Sequence, residues 1–320
     1  MKNIDLLFVL KVLVIFGMSG CSEENPVYVD NRIIFHDTDL ARSVIEKIED
    51  MKCFSVWGQH TDGSGTAPSV VFDARLVSRE KEGGWTYEGT EYWNTGTYDF
   101  YALFPIAGTN IYQLDFQGRM PTGIKNFNIK EHPEDLMFDI LHKTYPFPSG
   151  ESRYVAVRFK HLLSMIDIKI RKDQSIDYGI FLTGVSVFNL PVQGNCTFND
   201  EKKDWSFRWS FTDVRSDSDT PSYSSSEEIE METAYKAILS SCLVFPQSFT
   251  SNNSLRINLR YRTSEGKEIY INKEIKGLEI KAGKRYNFTL TIKPLDSIIL
   301  EQVEAEEWGS ALAGSIILPV

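Results

Sequence analysis

Five histidines, His36, His60, His132, His142 and His161, are the side chains best suited to move protons or hold a metal near neutral pH. None stands in an HExxH pattern or beside a carboxylate at ligand spacing, so metal-assisted hydrolysis has no motif behind it. His161 lies where two strand patterns meet, and a structural role there is the expected one. No GxSxG occurs, and Gly63-Ser64-Gly65 precedes no apolar strand running into a helix, so it reads as a turn rather than a nucleophile elbow. Asp213, Asp217 and Asp219 are spaced loosely like a calcium loop, but the glycine and the closing glutamate of such a loop are missing. The paired acids Glu134 with Asp135 and Glu306 with Glu307 serve glycoside hydrolysis only where a cleft holds two carboxylates about 5 to 10 Å apart. In an acidic chain such neighbours read as a solvated edge. No catalytic residue, cofactor or metal is therefore expected.

The cysteines divide into one with chemistry and three without. Cys21 follows a charged start at Lys2, an apolar run from Leu6 to Phe16 interrupted by Lys11, and the small residues of Gly17-Met18-Ser19-Gly20. That is the layout of a secretory signal whose peptidase cuts before a cysteine that is then acylated, with Met18 in place of the commonest leucine. The longest uncharged run, Val12 to Gly20, is far shorter than the ~20 residues that span a bilayer. Residues 1–20 are read as a lipoprotein signal peptide and Cys21 as the lipidation site, with more than one acyl chain because a single chain anchors only marginally. Cys53, Cys196 and Cys242 are odd in number, widely spaced and without a CxxC, so buried free thiols are expected.

Among the tryptophans, Trp205 and Trp209 share one face of an alternating strand with Phe207 and Phe211 and belong in a core. Trp85 and Trp93 sit in polar, loop-like sequence and are the candidates for exposed rings that stack sugars, which keeps a surface carbohydrate-binding lipoprotein as the alternative reading.

These residues must be positioned by strands. Leu255, Ile257, Leu259 and Tyr261 alternate with polar residues, as do Tyr286, Phe288, Leu290 and Ile292 after the turn Lys281-Ala282-Gly283-Lys284. The apolar set falls on odd positions at Val155, Val157 and Phe159 but on even ones at Ile166, Ile168 and Ile170, so a bulge is expected near His161-Leu162-Leu163. One short amphipathic helix is expected, capped at Asp37, Thr38 or Asp39 and carrying Leu40, Val44, Ile48 and Met51 on one face. Frequent turns and no strand-helix alternation favour an all-β chain of antiparallel sandwiches. Pro146-Phe147-Pro148-Ser149-Gly150 divides the 320 residues into an N-terminal sandwich, 21–148, and a C-terminal one, 149–320. The polar stretch from Asp213 to Glu232 has almost nothing to bury and reads as a mobile loop. A net charge of -10 with scattered Lys and Arg offers no basic stripe, which argues against nucleic acid as a partner.

Several segments, in order, resemble the fimbrillin family of Bacteroidetes, the Mfa-like lipoproteins that build or decorate type V pili. They are Cys53-Phe54-Ser55-Val56-Trp57-Gly58, Tyr98-Asp99-Phe100-Tyr101-Ala102-Leu103-Phe104-Pro105 and Val157-Arg158-Phe159-Lys160-His161-Leu162-Leu163-Ser164. Leu243-Val244-Phe245-Pro246-Gln247, Ala282-Gly283-Lys284-Arg285-Tyr286-Asn287-Phe288-Thr289-Leu290 and Glu307-Trp308 follow. Ser22-Glu23-Glu24 likewise resembles the acidic signal that sends such lipoproteins to the outer face. The resemblance implies two transthyretin-like sandwich domains, a lipid anchor in the outer membrane, and other pilus subunits as partners through β-strand addition, with host or bacterial surface ligands where the subunit is adhesive. It also implies an arginine-specific cut near the N-terminus that releases the lipid and the first strand, for which Arg32 and Arg42 are the candidates. The tail 310–320 is the candidate donor strand, because Leu312, Ile316, Leu318 and Val320 fall on one face of an extended chain. Its competing role is the last strand of its own domain.

Overall fold

The computed structural model describes residues 31–37, 51–80, 84–106, 112–131, 134–201, 204–211, 220–308 and 316–318, and the fold belongs to the unit Ile33–Val320. Strands make up all the regular structure of the described residues. The first eight are β1 (Phe35–Asp37), β2 (Cys53–Thr61), β3 (Ser69–Arg79), β4 (Trp85–Tyr87), β5 (Gly96–Phe104), β6 (Gln113–Gln117), β7 (Met120–Asn128) and β8 (Met137–Tyr145). The next eight are β9 (Val155–Val157), β10 (Lys160–His161), β11 (Ser164–Lys172), β12 (Ile180–Phe188), β13 (Gln193–Glu201), β14 (Asp204–Phe211), β15 (Tyr223–Ser225) and β16 (Ile229–Glu230). The last eight are β17 (Lys236–Val244), β18 (Gln247–Ser248), β19 (Leu255–Thr263), β20 (Glu268–Ile275), β21 (Glu279–Ile280), β22 (Lys284–Lys293), β23 (Ser297–Glu307) and β24 (Ile316–Leu318).

The six-stranded sheet β10-β8-β5-β2-β3-β4 is covered on both faces. One face carries Trp57, Tyr101, Leu103, Phe138 and Ile140, packed with Ile124, Phe127, Cys196, Phe198 and Trp205 of the four-stranded sheet β14-β13-β7-β6. The other face carries Phe54, Val56, Phe72 and Phe100, packed with Phe35, Val155, Val157 and Phe159 of the β1-β9 pair and its continuation. Burial on both faces is why β2 runs Phe54-Ser55-Val56-Trp57 without a wet side. Within the four-stranded sheet, β7 approaches β13 closely at Gly123, where a Cβ would lie 2.4 Å from the carbonyl oxygen of Cys196.

A second sandwich packs the five-stranded sheet β17-β11-β22-β23-β24 on β15-β12-β19-β20. Its core holds both alternating sets read from the sequence, Leu255, Ile257, Leu259 and Tyr261 with Tyr286, Phe288, Leu290 and Ile292. Pairing is antiparallel except between β11 and β22 and between β1 and β9, which are parallel. The sheets do not part at residue 148: β10 pairs with β8 and β13 pairs with β7 across it.

Three expectations are corrected. The register change near His161 is a change of sheet rather than a bulge: β10 ends on β8, Leu162 N–H donates to the Leu136 carbonyl at 2.8 Å, and β11 begins in the second sandwich. Sheet-to-sheet passage reverses the inward-facing parity as a bulge would, which is why the two are alike in sequence. The stretch 213–232 is not one loop, since β15 and β16 both pair with β12; Met231 is buried and Tyr223 and Ile229 pack on the core. Few residues, well placed, suffice to order it. Asp135 is no solvated edge but is buried. The expected helix falls at 38–50, outside the described residues, and Asp213, Asp217 and Asp219 lie outside them too; Met51 is buried and Asp37 closes β1.

Candidate functional site

Assembly by strand exchange needs an edge that can open and a strand that can leave. Arg32 is exposed and stands immediately before Ile33, which is 1% exposed. Ile33 N–H donates to Glu91 O at 2.8 Å, its carbonyl accepts from Tyr87 Oη at 2.9 Å, and Ile34 O accepts from Val155 N at 2.9 Å. Phe35 then enters β1, with its ring centre 5.6 to 6.1 Å from those of Phe54, Phe72, Tyr87 and Phe100. A three-residue strand and the buried Ile33 ahead of it thus cover an aromatic cluster. Cys21, Arg42, Leu312 and Val320 lie outside the described residues.

At the other end, Ile316 and Leu318 fall in β24, whose backbone pairs antiparallel with β23 at Val303, Glu304 and Ala305. The remaining length of β23, from Ser297, is an outer edge with Ile299 exposed.

Trp85 and Trp93, expected to be exposed, are 9% and 2% exposed. Trp93 packs between Tyr98, Phe100 and Phe147 at 4.8 to 5.9 Å, and Trp85 packs on Phe54 at 5.0 Å. Their polar neighbours in sequence face solvent while the rings turn inward, so neither offers a face to a sugar. Cys196 and Cys242 are buried free thiols and Cys53 is a half-buried one; burial pushes all three pKa values up, Cys242 to about 11, which keeps them unreactive. Among the described residues no group of three or more His, Cys, Asp or Glu is placed to hold a metal.

Two polar arrangements escaped the sequence. His161 Nδ1 lies 2.8 Å from Asp135 Oδ2 with both side chains buried, and the imidazole stacks on Trp308 with ring centres 4.5 Å apart. The second is a cleft of about 460 Å³ with β8 from Asp139 to Lys143 as floor, Ala156, Arg158 and Lys160 as one wall and Glu201, Asp204 and Trp205 of β13 and β14 as the other. Beside it, His142 Nδ1 lies 2.7 Å from Asp99 Oδ1 and Nε2 lies 2.9 Å from Asp200 Oδ1, joining the six-stranded sheet to the β13-β14 hairpin. Tyr101 Oη donates to Asp200 and Gln59 to Asp99, each at 2.9 Å.

Carboxylates at both ring nitrogens favour the imidazolium, because only it donates at both. The hydrogen bond to Asp99 raises the His142 pKa above 6.5, the Asp200 charge adds to this, and partial burial opposes it. A raised folded-state value gives stability that is complete below the unfolded pKa and is lost as pH rises through the folded one. Thermal unfolding of the wild type is therefore expected to lose its advantage over His142→Gln as pH rises from about 6.5 through the raised folded-state value. A difference that does not change with pH in that range would show that the bridge is neutral. Burial raises Asp139 to about 6, so its contribution is lost as pH rises from about 3.8 through about 6, and because both proteins carry it that loss cancels in the difference.

Residues 41–308 match the family model described as fimbrillin-like. The chain belongs to the fimbrillin-like family. Among solved structures, a fimbrial protein from Bacteroides vulgatus is similar over 87% of this chain and 100% of that one, at 19% identity and a TM-score of 0.61. The tip fimbrial protein Mfa3 from Porphyromonas gingivalis is similar over 87% of this chain and 99% of that one, at 10% identity and a TM-score of 0.43. No curated protein matches the chain. Membership in the fimbrillin-like family makes this a cell-surface or fimbrial protein of structural or adhesive type, associated with other fimbrial subunits.

Proposed function

We propose that the chain is a non-catalytic subunit of a surface fimbria, exported as an outer-membrane lipoprotein on Cys21 and assembled by β-strand addition between subunits. The seal that β1 makes over the aromatic face of the six-stranded sheet carries this reading. Its outward ladder is three residues long, yet it covers Phe54, Phe72 and Phe100, so its departure leaves an apolar groove that an incoming strand fills. The two candidate cuts then differ in consequence. Cleavage after Arg32 leaves Ile33 and Phe35 covalently joined to the sandwich, whereas cleavage after Arg42 leaves β1 held by non-covalent contacts alone. Arg42 is the cut that opens the groove, and 310–320 is the strand that fills it.

Mass spectrometry of the N-terminus of protein recovered from the producing cells, with a denaturant-sensitive ladder on a gel, tests this. The expected result is a ladder whose subunits begin just after Arg42. An acylated Cys21 terminus with no ladder is the result that defeats it.

A further inference from the structure

The cleft beside His142 has its charges arranged in a way that the fold itself does not use up. Asp139 is turned inward, its carboxylate taken by Arg158 N–H at 2.6 Å and Trp205 Nε1 at 3.0 Å. Lys160 is also engaged, with its ammonium 2.7 Å from Asp204, 3.1 Å from Trp205 O and 4.6 Å above the Trp205 ring. Lys143 donates to Ser152 O at 3.0 Å, and Glu201 accepts from Asn199 through one oxygen at 3.0 Å. Arg158, exposed between β9 and β10, lines the cleft, and its guanidinium has no hydrogen-bond or ion-pair partner among the described residues. One wall therefore offers a planar cationic fork, and the opposite wall offers carboxylate acceptors.

We propose that this cleft binds a sugar acid, with the ligand carboxylate on Arg158 and ring hydroxyls donating to Glu201. Arginine matches a carboxylate bidentately, and a charge-assisted pair in a recess is stronger than a neutral hydrogen bond. A neutral sugar lacks the anion, and it finds no stacking platform here because Lys160 covers one face of Trp205 while Phe138 meets the ring edge-on at 5.4 Å. A simple carboxylate lacks the donors that Glu201 needs. The volume, about 460 Å³, lies within the range of small-molecule sites and suits one or two sugar rings better than an amino acid. The assignment deepens the adhesive reading and rests on it for its biological setting, but binding is measured on the folded monomer and is independent of whether that monomer polymerises.

Titration of the isotope-labelled full chain by NMR with glucuronic, galacturonic and N-acetylneuraminic acids is the test, with glucose, acetate and glycine as controls. At least one sugar acid is expected to bind more tightly than all three controls, with affinity that weakens as salt is raised. Arg158→Gln is expected to weaken it about tenfold or more, the loss of one charge-assisted pair. Glu201→Gln, on the exposed hairpin tip, is expected to weaken it by a smaller factor. Sugar acids that bind no better than acetate, glucose or glycine, or that bind Arg158→Gln as well as the wild type, overturn the assignment.

Discussion

A chain that ends at Trp308 is expected to fold, to remain monomeric, and to lose the ladder completely. The backbone carries the argument: β23 pairs with β22 at ten positions from Lys284 to Lys293, whereas β24 contributes three to its outer edge. Val303 and Trp308, each buried in a core, are kept by the truncation. Loss of the tail therefore removes a short, peripheral ladder and spares both packed sandwiches. If the tail is donated to a neighbour, removing it abolishes every multimer while size-exclusion and thermal unfolding still report a compact monomer. A truncated chain that fails to fold would assign β24 to its own domain, and a truncated chain that still forms the ladder would assign the donor elsewhere. The two failures are distinguishable because one appears before assembly and the other after it.

How far the sequence reveals this molecule depends on how many faces of a strand are wet. β19 alternates buried and open residues from Leu255 to Thr263, and the inward set was legible because the outward one is polar. β2 lies inside three layers, so Phe54, Val56 and Trp57 follow one another and carry no period. Trp93 misled for the related reason that a ring's burial is set by Tyr98, Phe100 and Phe147, not by its polar neighbours. The cleft was illegible altogether. Its parts, Asp139 and His142 on β8, Arg158 between β9 and β10, and Glu201 and Asp204 at a hairpin tip, come from separate elements and form no spacing along the chain. The residues read as an acylation signal before Cys21 and the arginines before and after β1 are local patterns, and local patterns are what one sequence displays best.

The buried trio Asp135, His161 and Trp308 provides the second large effect and a way to learn what holds it. His161→Ala is expected to cost about 3 to 5 kcal/mol, from a buried carboxyl group left without its partner and a cavity against the indole. Those two causes separate in a substitution that keeps one and not the other. His161→Phe retains a flat ring against Trp308, so packing is largely restored, but Asp135 then has no partner among the described residues within a site that is 7% exposed. If the stranded carboxyl dominates, His161→Phe is destabilised nearly as much as His161→Ala, and adding Asp135→Leu recovers most of the loss, since replacing both members of a buried pair by apolar groups is often close to neutral. If ring packing dominates, His161→Phe is close to wild type and the second change does nothing useful. Denaturant unfolding of the three variants decides between them, and the first outcome is expected. Leu162 N–H donates to Leu136 O and Trp308 N–H to Gly283 O, so the trio sits where the six-stranded sheet meets the end of β23. Loosening it is thus expected to lower the unfolding midpoint of both sandwiches together.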